Sequence, residues 1–280
     1  MNVKMTVVAE NKVPLGKGLI GEHGFAVFLD TEHGKILWDT GQGFCVPHNL
    51  QTLNIDLQDL KAIAISHGHY DHTGGLMSAL RTCGGCPVYC HPACFEDKRV
   101  ARDFFGKKIE VYIGMPATKE EFESAGASFE LVEDTAEIVP GVHFFTGIPM
   151  ENDFETIESG FFVQEGEDKR DDSIIDDACL AVETDKGVSV ILGCAHRGMV
   201  NTLRHVQKRL GNEGFVSVWG GTHMVDRTPA EVDKTIEALR EMKVEKLAAA
   251  HCTGFENEAR LAQAMPQSFA FATVGARAEL

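Results

Sequence analysis

No stretch of this 280-residue sequence is apolar for long enough to span a bilayer, which takes roughly 20 consecutive residues. The opening residues, MNVKMTVVAENKV, lack the apolar core and cleavage site of a signal peptide and read instead as a first strand. A cytoplasmic protein is therefore expected. Basic residues are scarce: 26 Lys and Arg face 42 Asp and Glu, a formal net charge of −16. That average field repels a polyphosphate backbone and no basic patch offsets it, so neither nucleic acid nor membrane is an expected partner. The run EGEDKRDD at 165–172 reads as a solvated acidic loop. A Pro/Ser-rich linker is missing, and so is any internal repeat. One domain over residues 1–280 is the simplest organisation.

What is present is an ordinary globular chain, 44% hydrophobic, with eight cysteines. Without a secretory signal these read as reduced thiols or metal ligands rather than a disulfide framework. GFAVFLD and KILWDTG form two strands around the turn TEHG, and LKAIAIS is a buried strand. PVYCH and VHFFTG are further short strands. In the second half ACLAVETD and VSVILGCAH pair across the turn KG, with His196 at the strand end. MVNTLRHVQKRL follows as a helix with Val200, Leu203, Val206 and Leu210 at helical spacing. After the strand FVSVWGGTH, a helix opens at Thr228, with Pro229 at its first position and Glu231 completing a capping box. KLAAAHCTG is a last strand, ending on His251. Two halves that each carry a sheet and then helices predict two packed sheets with helices outside, an α/β (α+β) architecture.

The densest chemistry lies in ISHGHYDHTGGL, which starts at Ile65. His67, His69, Asp71 and His72 place three imidazoles and a carboxylate in six residues, the ligand set that suits zinc and similar divalent ions. On an extended segment His67 and His69 point to one side. A shell of this kind needs partners from elsewhere, and His196 and His251 stand at strand ends where they can supply them.

The motif H-x-H-x-D-H, here HGHYDH, resembles the signature of the metallo-β-lactamase superfamily, and the DTG at Asp39–Gly41 is similar to that superfamily's preceding turn. The resemblance implies a four-layer αββα sandwich. Together with GEHGF, GCAHRGMVNTL, GGTH and HCTG, it narrows to a branch of dihydropterin–aminobenzene-phosphate synthases. By this resemblance His67, His69 and His196 would hold one metal, and Asp71, His72 and His251 the other. Two divalent ions are implied, zinc first, with manganese or iron as alternatives. His23 and His223 fall in branch motifs and are candidate substrate contacts, and His91 in YCHPACF has the same status. Where most hydrolases of the superfamily carry a bridging Asp, as GD, this sequence reads GC. Cys194 is then either a metal ligand or a small buried thiol.

Two other patterns carry less. GKGLIG at 16–21 satisfies G-x-G-x-x-G but is followed by a strand, not the helix a dinucleotide site requires. Cys83, Cys86, Cys90 and Cys94 contain a C-x-x-C, yet the strand between the pairs directs them apart, so separate thiols are the default. The expected function is a metal-dependent hydrolase in which a metal-activated water, oriented by Asp71, attacks an ester, amide, thioester or phosphoester of a small metabolite. The alternatives are a transferase condensing a pterin pyrophosphate with an aminobenzene ribofuranosyl phosphate, and a non-catalytic metal-centred binding protein. A flavodiiron-type redox site is disfavoured by His69, where that family carries Glu, and a ribonuclease Z-like nuclease by the acidic charge. The substrate implied is small, phosphorylated or pterin-like.

Overall fold

The computed structural model describes residues 1–280, the side chain of Phe104 excepted. The chain opens with β1 (Val3–Ala9), β2 (Ala26–Thr31) and β3 (Gly34–Trp38), of which β2 and β3 form the expected hairpin with Thr31 opposite Gly34. α1 (Val46–Leu53) leads to β4 (Leu60–Ala64), parallel to β3. The short α2 (Tyr70–Thr73) and α3 (Leu76–Cys83) separate β4 from β5 (Cys86–Cys90), again parallel. β6 (Lys98–Phe104) and β7 (Lys107–Tyr112) make a hairpin, followed by α4 (Lys119–Ser124) and β8 (Ala127–Leu131).

The second half runs through β9 (Thr135–Val139), β10 (Val142–Phe145), β11 (Phe161–Glu165) and β12 (Asp168–Asp171). β13 (Cys179–Thr184) and β14 (Gly187–Leu192) are followed by α5 (Met199–Leu210), β15 (Phe215–Gly221) and α6 (Pro229–Glu241). β16 (Leu247–Ala250), α7 (Phe255–Ala264), β17 (Phe269–Phe271) and β18 (Arg277–Glu279) complete the chain. One seven-stranded sheet has the order β18-β1-β2-β3-β4-β5-β8, a second β17-β16-β15-β14-β13-β10-β9, and a four-stranded sheet β12-β11-β6-β7.

Strand alternation builds the layers. In β2, Val27 and Leu29 face the second sheet, where they join Phe144, Leu180 and Ile191 in a shared core. Ala26 and Phe28, on the opposite face of β2, pack with residues of α1 and α3. Val190 and Leu192 of β14 face α5 and α6 through Val200, Leu203 and Ile236. The result is the expected αββα order of layers. Trp38 is fully buried between the sheets, and its indole Nε1 donates to the Leu192 carbonyl at 3.2 Å. That bond ties the ends of β3 and β14 together, directly beneath the functional residues described below.

Three local expectations meet different fates. The capping box at Thr228 and Glu231 is formed as read, with Pro229 opening α6. GKGLIG lies in a loop that leads to β2 with no helix behind it. EGEDKRDD does not form a plain loop: its residues are the end of β11, the turn and all of β12, paired with Glu165 opposite Asp168. Residues 165–171 are exposed as expected, but β12 pairs with β11 as one edge of the small sheet, and Asp172 is buried against Lys98. Among the described residues no helix is long and apolar enough to cross a membrane.

The four cysteines of CGGCPVYCHPAC do not converge. Cys83 and Cys86 have their sulfurs 3.8 Å apart, but Cys90 stands at the far end of β5, about 13 Å further on at the rise of an extended chain.

Candidate metal centre

Every histidine of the motif sits where a parallel strand ends. His67–His72 follows β4, His196 lies shortly after β14, His223 follows β15 and His251 follows β16, and these strands run parallel within their sheets. The carboxyl ends of neighbouring parallel strands are the usual place for a ligand crevice, because successive loops open there side by side. Here the two sheets present such edges to one cavity of about 640 Å³.

His67, His69 and His196 form the first group, with ligand atoms within 4.8 Å of one another. His67 Nε2 and His196 Nε2 are 3.2 Å apart. All three are buried. Burial first, then the neighbouring imidazoles, lower the pKa of His67 and His196 well below the ordinary value; burial, then Lys98, lowers that of His69 to about 3. Three neutral imidazoles therefore offer lone pairs to a common point. His69 Nε2 is buried without a hydrogen-bond partner among the described residues. An orphan nitrogen among two others is the arrangement a metal ion would satisfy.

The second group gathers around Asp71. Its Oδ2 lies 3.2 Å from His251 Nε2, 3.2 Å from His23 Nε2 and 3.9 Å from His72 Nε2. His72 Nε2 and His251 Nε2 are 3.3 Å apart. Burial penalises the Asp71 carboxylate, yet His72, His23 and His251 outweigh it and hold its pKa well below the usual range. Burial likewise opposes a charge on His72, but Asp39 and Asp71 lift its pKa to about 9. This half of the site thus couples His72 to two carboxylates, in contrast to the first group, which has imidazoles alone.

Backbone and carboxylate contacts behind the site aim these rings. Asp39 Oδ2 accepts from His72 Nδ1 at 2.8 Å and from Ser66 Oγ at 2.8 Å, while Oδ1 accepts from the Ser66 amide. Asp39 adopts a left-handed φ of 54° to reach both. His251 is held by Asn11 Oδ1 at 2.9 Å from its Nδ1, and its amide donates to Glu10. Asp176 accepts from the Gly68 amide at 2.8 Å and is itself paired with the buried Lys98. A carboxylate on the remote nitrogen fixes tautomer and orientation of a metal-binding imidazole, and its loss typically weakens metal binding 10–100-fold. Asp39→Asn is therefore expected to lower metal affinity by about that factor without unfolding the chain, as a chelator-competition titration would show; unchanged affinity would remove Asp39 from this role.

The segment after β14 departs from expectation. CAH does not continue the strand, which ends at Leu192. Ala195 turns with a φ of 53°, so Cys194 and His196 reach the cavity through a turn and not by strand alternation. Cys194 Sγ comes to 3.1 Å from His72 Nε2, between the two groups.

A sequence model of the metallo-β-lactamase superfamily matches residues 19–154, which include the whole HGHYDH motif. The fold aligns with that of Tm1679, a metal-dependent hydrolase of the beta-lactamase superfamily, with a TM-score of 0.84 over 99% of both chains at 26% identity. The chain has the metallo-β-lactamase fold and carries that superfamily's motif. Among curated proteins it is 28% identical to the 7,8-dihydropterin-6-methyl-4-(beta-D-ribofuranosyl)-aminobenzene-5'-phosphate synthase of Methanocaldococcus jannaschii, covering 96% of this chain and 93% of the relative. An uncharacterized protein of the same organism is 27% identical over 92% of this chain and 94% of its own. YhfI from Bacillus subtilis, at 12% identity, a TM-score of 0.60 and coverage of 100% of this chain and 99% of its own, shares the fold.

Within this metallo-β-lactamase fold the candidate substrate residues separate. His23 stands against Asp71, half exposed, and burial lowers its pKa less than its hydrogen bond to Asp71 raises it. His223 lines the cavity, pairs with Glu158 at 3.2 Å and packs on His196. His91 does not line it: its Nδ1 accepts the Ala93 amide and caps a 3-10 turn. Residues that sequence reasoning passed over are Asn11, Arg102, Glu158, Phe161 and Cys252, all on the cavity wall. Only Cys252 carried a local signal, as the neighbour of His251.

Proposed function

We propose that residues 1–280 act as one cytoplasmic, metal-dependent transferase that condenses a pterin diphosphate with an aminobenzene ribofuranosyl phosphate. The observation that carries this reading is the similarity to the M. jannaschii synthase, which runs through 96% of the chain and is not confined to the metal motif. The cavity supports it. Its volume of about 640 Å³ falls within the range of small-molecule sites. Phe161, Phe255 and Tyr70 supply aromatic walls suited to flat rings. At the rim Lys12 is already flanked by Glu10 and Glu258. Arg102 and His223 instead share the single carboxylate of Glu158, which leaves positive charge available to a phosphate.

His67, His69 and His196 would hold one divalent ion and Asp71, His72 and His251 a second, zinc being the first expectation. Such ions, when bound, polarise a diphosphate leaving group and lower the pKa of water. Asp71 keeps its carboxylate ionised and, with His23 Nε2 as donor, fixed in orientation. Arg102 steadies the phosphorylated end of the substrate, and the aromatic walls limit water beside the reacting carbon. The carbon–oxygen bond to diphosphate breaks, a carbon–nitrogen bond to the arylamine forms, and the amine proton leaves to solvent.

One observation favours a second reading. Tm1679, alike over 99% of the chain, is a metal-dependent hydrolase, and the same residues would serve hydrolysis of an ester, amide, thioester or phosphoester. Protein loaded with two equivalents of zinc, manganese or iron is to be incubated with the pterin diphosphate, with and without the arylamine, and products read by mass spectrometry. A product containing both rings supports the transferase. Free pterin alcohol with no coupled product would replace it with the hydrolase, and no turnover of either kind would sink it.

A further inference from the structure

Two thiols enter the cavity wall beside His251, and the proposed ligand sets account for neither. The ligand atoms of Cys194, His251 and Cys252 lie within 4.8 Å of one another. Cys194 Sγ is 3.1 Å from His72 Nε2, so it also stands directly beside the ring that faces Asp71. Cys252 Sγ accepts the His223 amide at 3.2 Å and lies over Gly221, where a Cβ would come within 2.8 Å of the sulfur. A glycine at that point of β15 leaves the space the sulfur occupies. Both cysteines line the cavity.

These contacts differ from those of packing cysteines elsewhere in the chain. Cys90 packs among the apolar residues under α1 and α3, whereas Cys252 lies beside the His251 imidazole and takes an amide donor. Sulfur donors beside imidazole favour zinc, cobalt and iron and discriminate against magnesium and calcium, which prefer oxygen. We infer that Cys252, together with Cys194 and His251, forms a thiolate-bearing ligand set at the second metal position, so that this position selects a thiophilic divalent ion. The inference rests on the metal centre proposed above and adds sulfur to a shell otherwise built of nitrogen and oxygen.

The test uses the full chain, reduced, stripped with chelator and titrated with cobalt(II), with no substrate present. Thiolate-to-cobalt charge transfer gives near-ultraviolet absorption that imidazole and carboxylate ligands do not. Wild-type protein should develop this absorption as cobalt binds. Cys252→Ser should lose about half of it if each thiolate contributes equally, and the Cys194→Ser/Cys252→Ser double variant all of it, with cobalt still held by the three-histidine group. Because the variants alter a buried site, a second measurement is made on wild type alone: alkylation followed by peptide mass spectrometry, in which metal should protect Cys194 and Cys252 but leave Cys83 as reactive as before. Cobalt bound without near-ultraviolet absorption, or equal alkylation of Cys252 with and without metal, would overturn the thiolate set while leaving the metal centre standing. Failure to bind any cobalt would overturn both.

Discussion

Asp71→Ala is expected to lower kcat/KM by roughly 10³-fold, a loss of about 4 kcal/mol in transition-state stabilisation. Asp71 is the one carboxylate among the imidazoles of the second group, with Oδ2 3.2 Å from both His23 and His251. Its removal takes away a candidate ligand and leaves His72 without one of the two carboxylates that raise its pKa. The residue is held near the start of a four-residue helix and not in a core layer, so the fold should survive. Circular dichroism should match wild type while elemental analysis shows less than two equivalents of metal. Near-normal turnover in the condensation assay would remove Asp71 from the reaction.

The largest effect on stability is expected at Lys98, away from the proposed ligands. Its ammonium is fully buried and bridges Asp172 Oδ2 at 2.8 Å and Asp176 Oδ1 at 2.9 Å. Lys98→Met keeps most of the volume but leaves two buried carboxylates facing each other. Breaking a buried ion pair by removing one partner typically costs about 3–5 kcal/mol, an order of 10 °C in Tm for a chain this long. Asp176 also accepts the Gly68 amide between His67 and His69, so the variant should bind metal more weakly as well.

The pH dependence follows from the same cluster. Burial opposes the charge of Asp176, but Lys98 outweighs it and holds the folded pKa below 3.8. Its contribution is present above the ordinary pKa and is lost as pH falls through the folded value. Burial also opposes the charge on Lys98, while Asp176 and Asp172 raise its pKa above 10.5; that contribution is complete below the ordinary value and lost only as pH rises through the folded one. Melting temperatures in metal-free buffer should therefore differ between wild type and Lys98→Met throughout the neutral range. Equal melting curves at pH 7 would show that the buried triad adds no stability.

Much of the scaffold was readable because its signals are local. The hairpin around TEHG, the helix of Val200, Leu203 and Val206, and the capping box at Thr228 each depend on residues within a few positions of one another. The small sheet was not readable in this way. KRVARDF has no strict alternation and buries a lysine, Lys98, while KKIEVY and DKRD are exposed throughout, so no hydrophobic face announced the pairing. His91 misled for a related reason: a histidine beside a cysteine cluster looks chemical, but its partner is a backbone amide two residues on.

The sequence by itself determined the ligand-rich turn, since His67, His69, Asp71 and His72 are close whatever the rest of the chain does, and their spacing points to divalent metal. It also determined the layer order, through strand alternation and helix periodicity. Only the tertiary structure decided what completes the site. Cys194 meets His72 across 122 residues, His196 meets His67 across 129 and His251 meets His72 across 179. Those encounters depend on two sheets packing with their carboxyl edges at one end, and on turns at Asp39 and Ala195 that no periodicity encodes. Spacing along the chain carries no information about such distances, because the entropy of closing each loop is repaid by the whole core and not by the residues that meet.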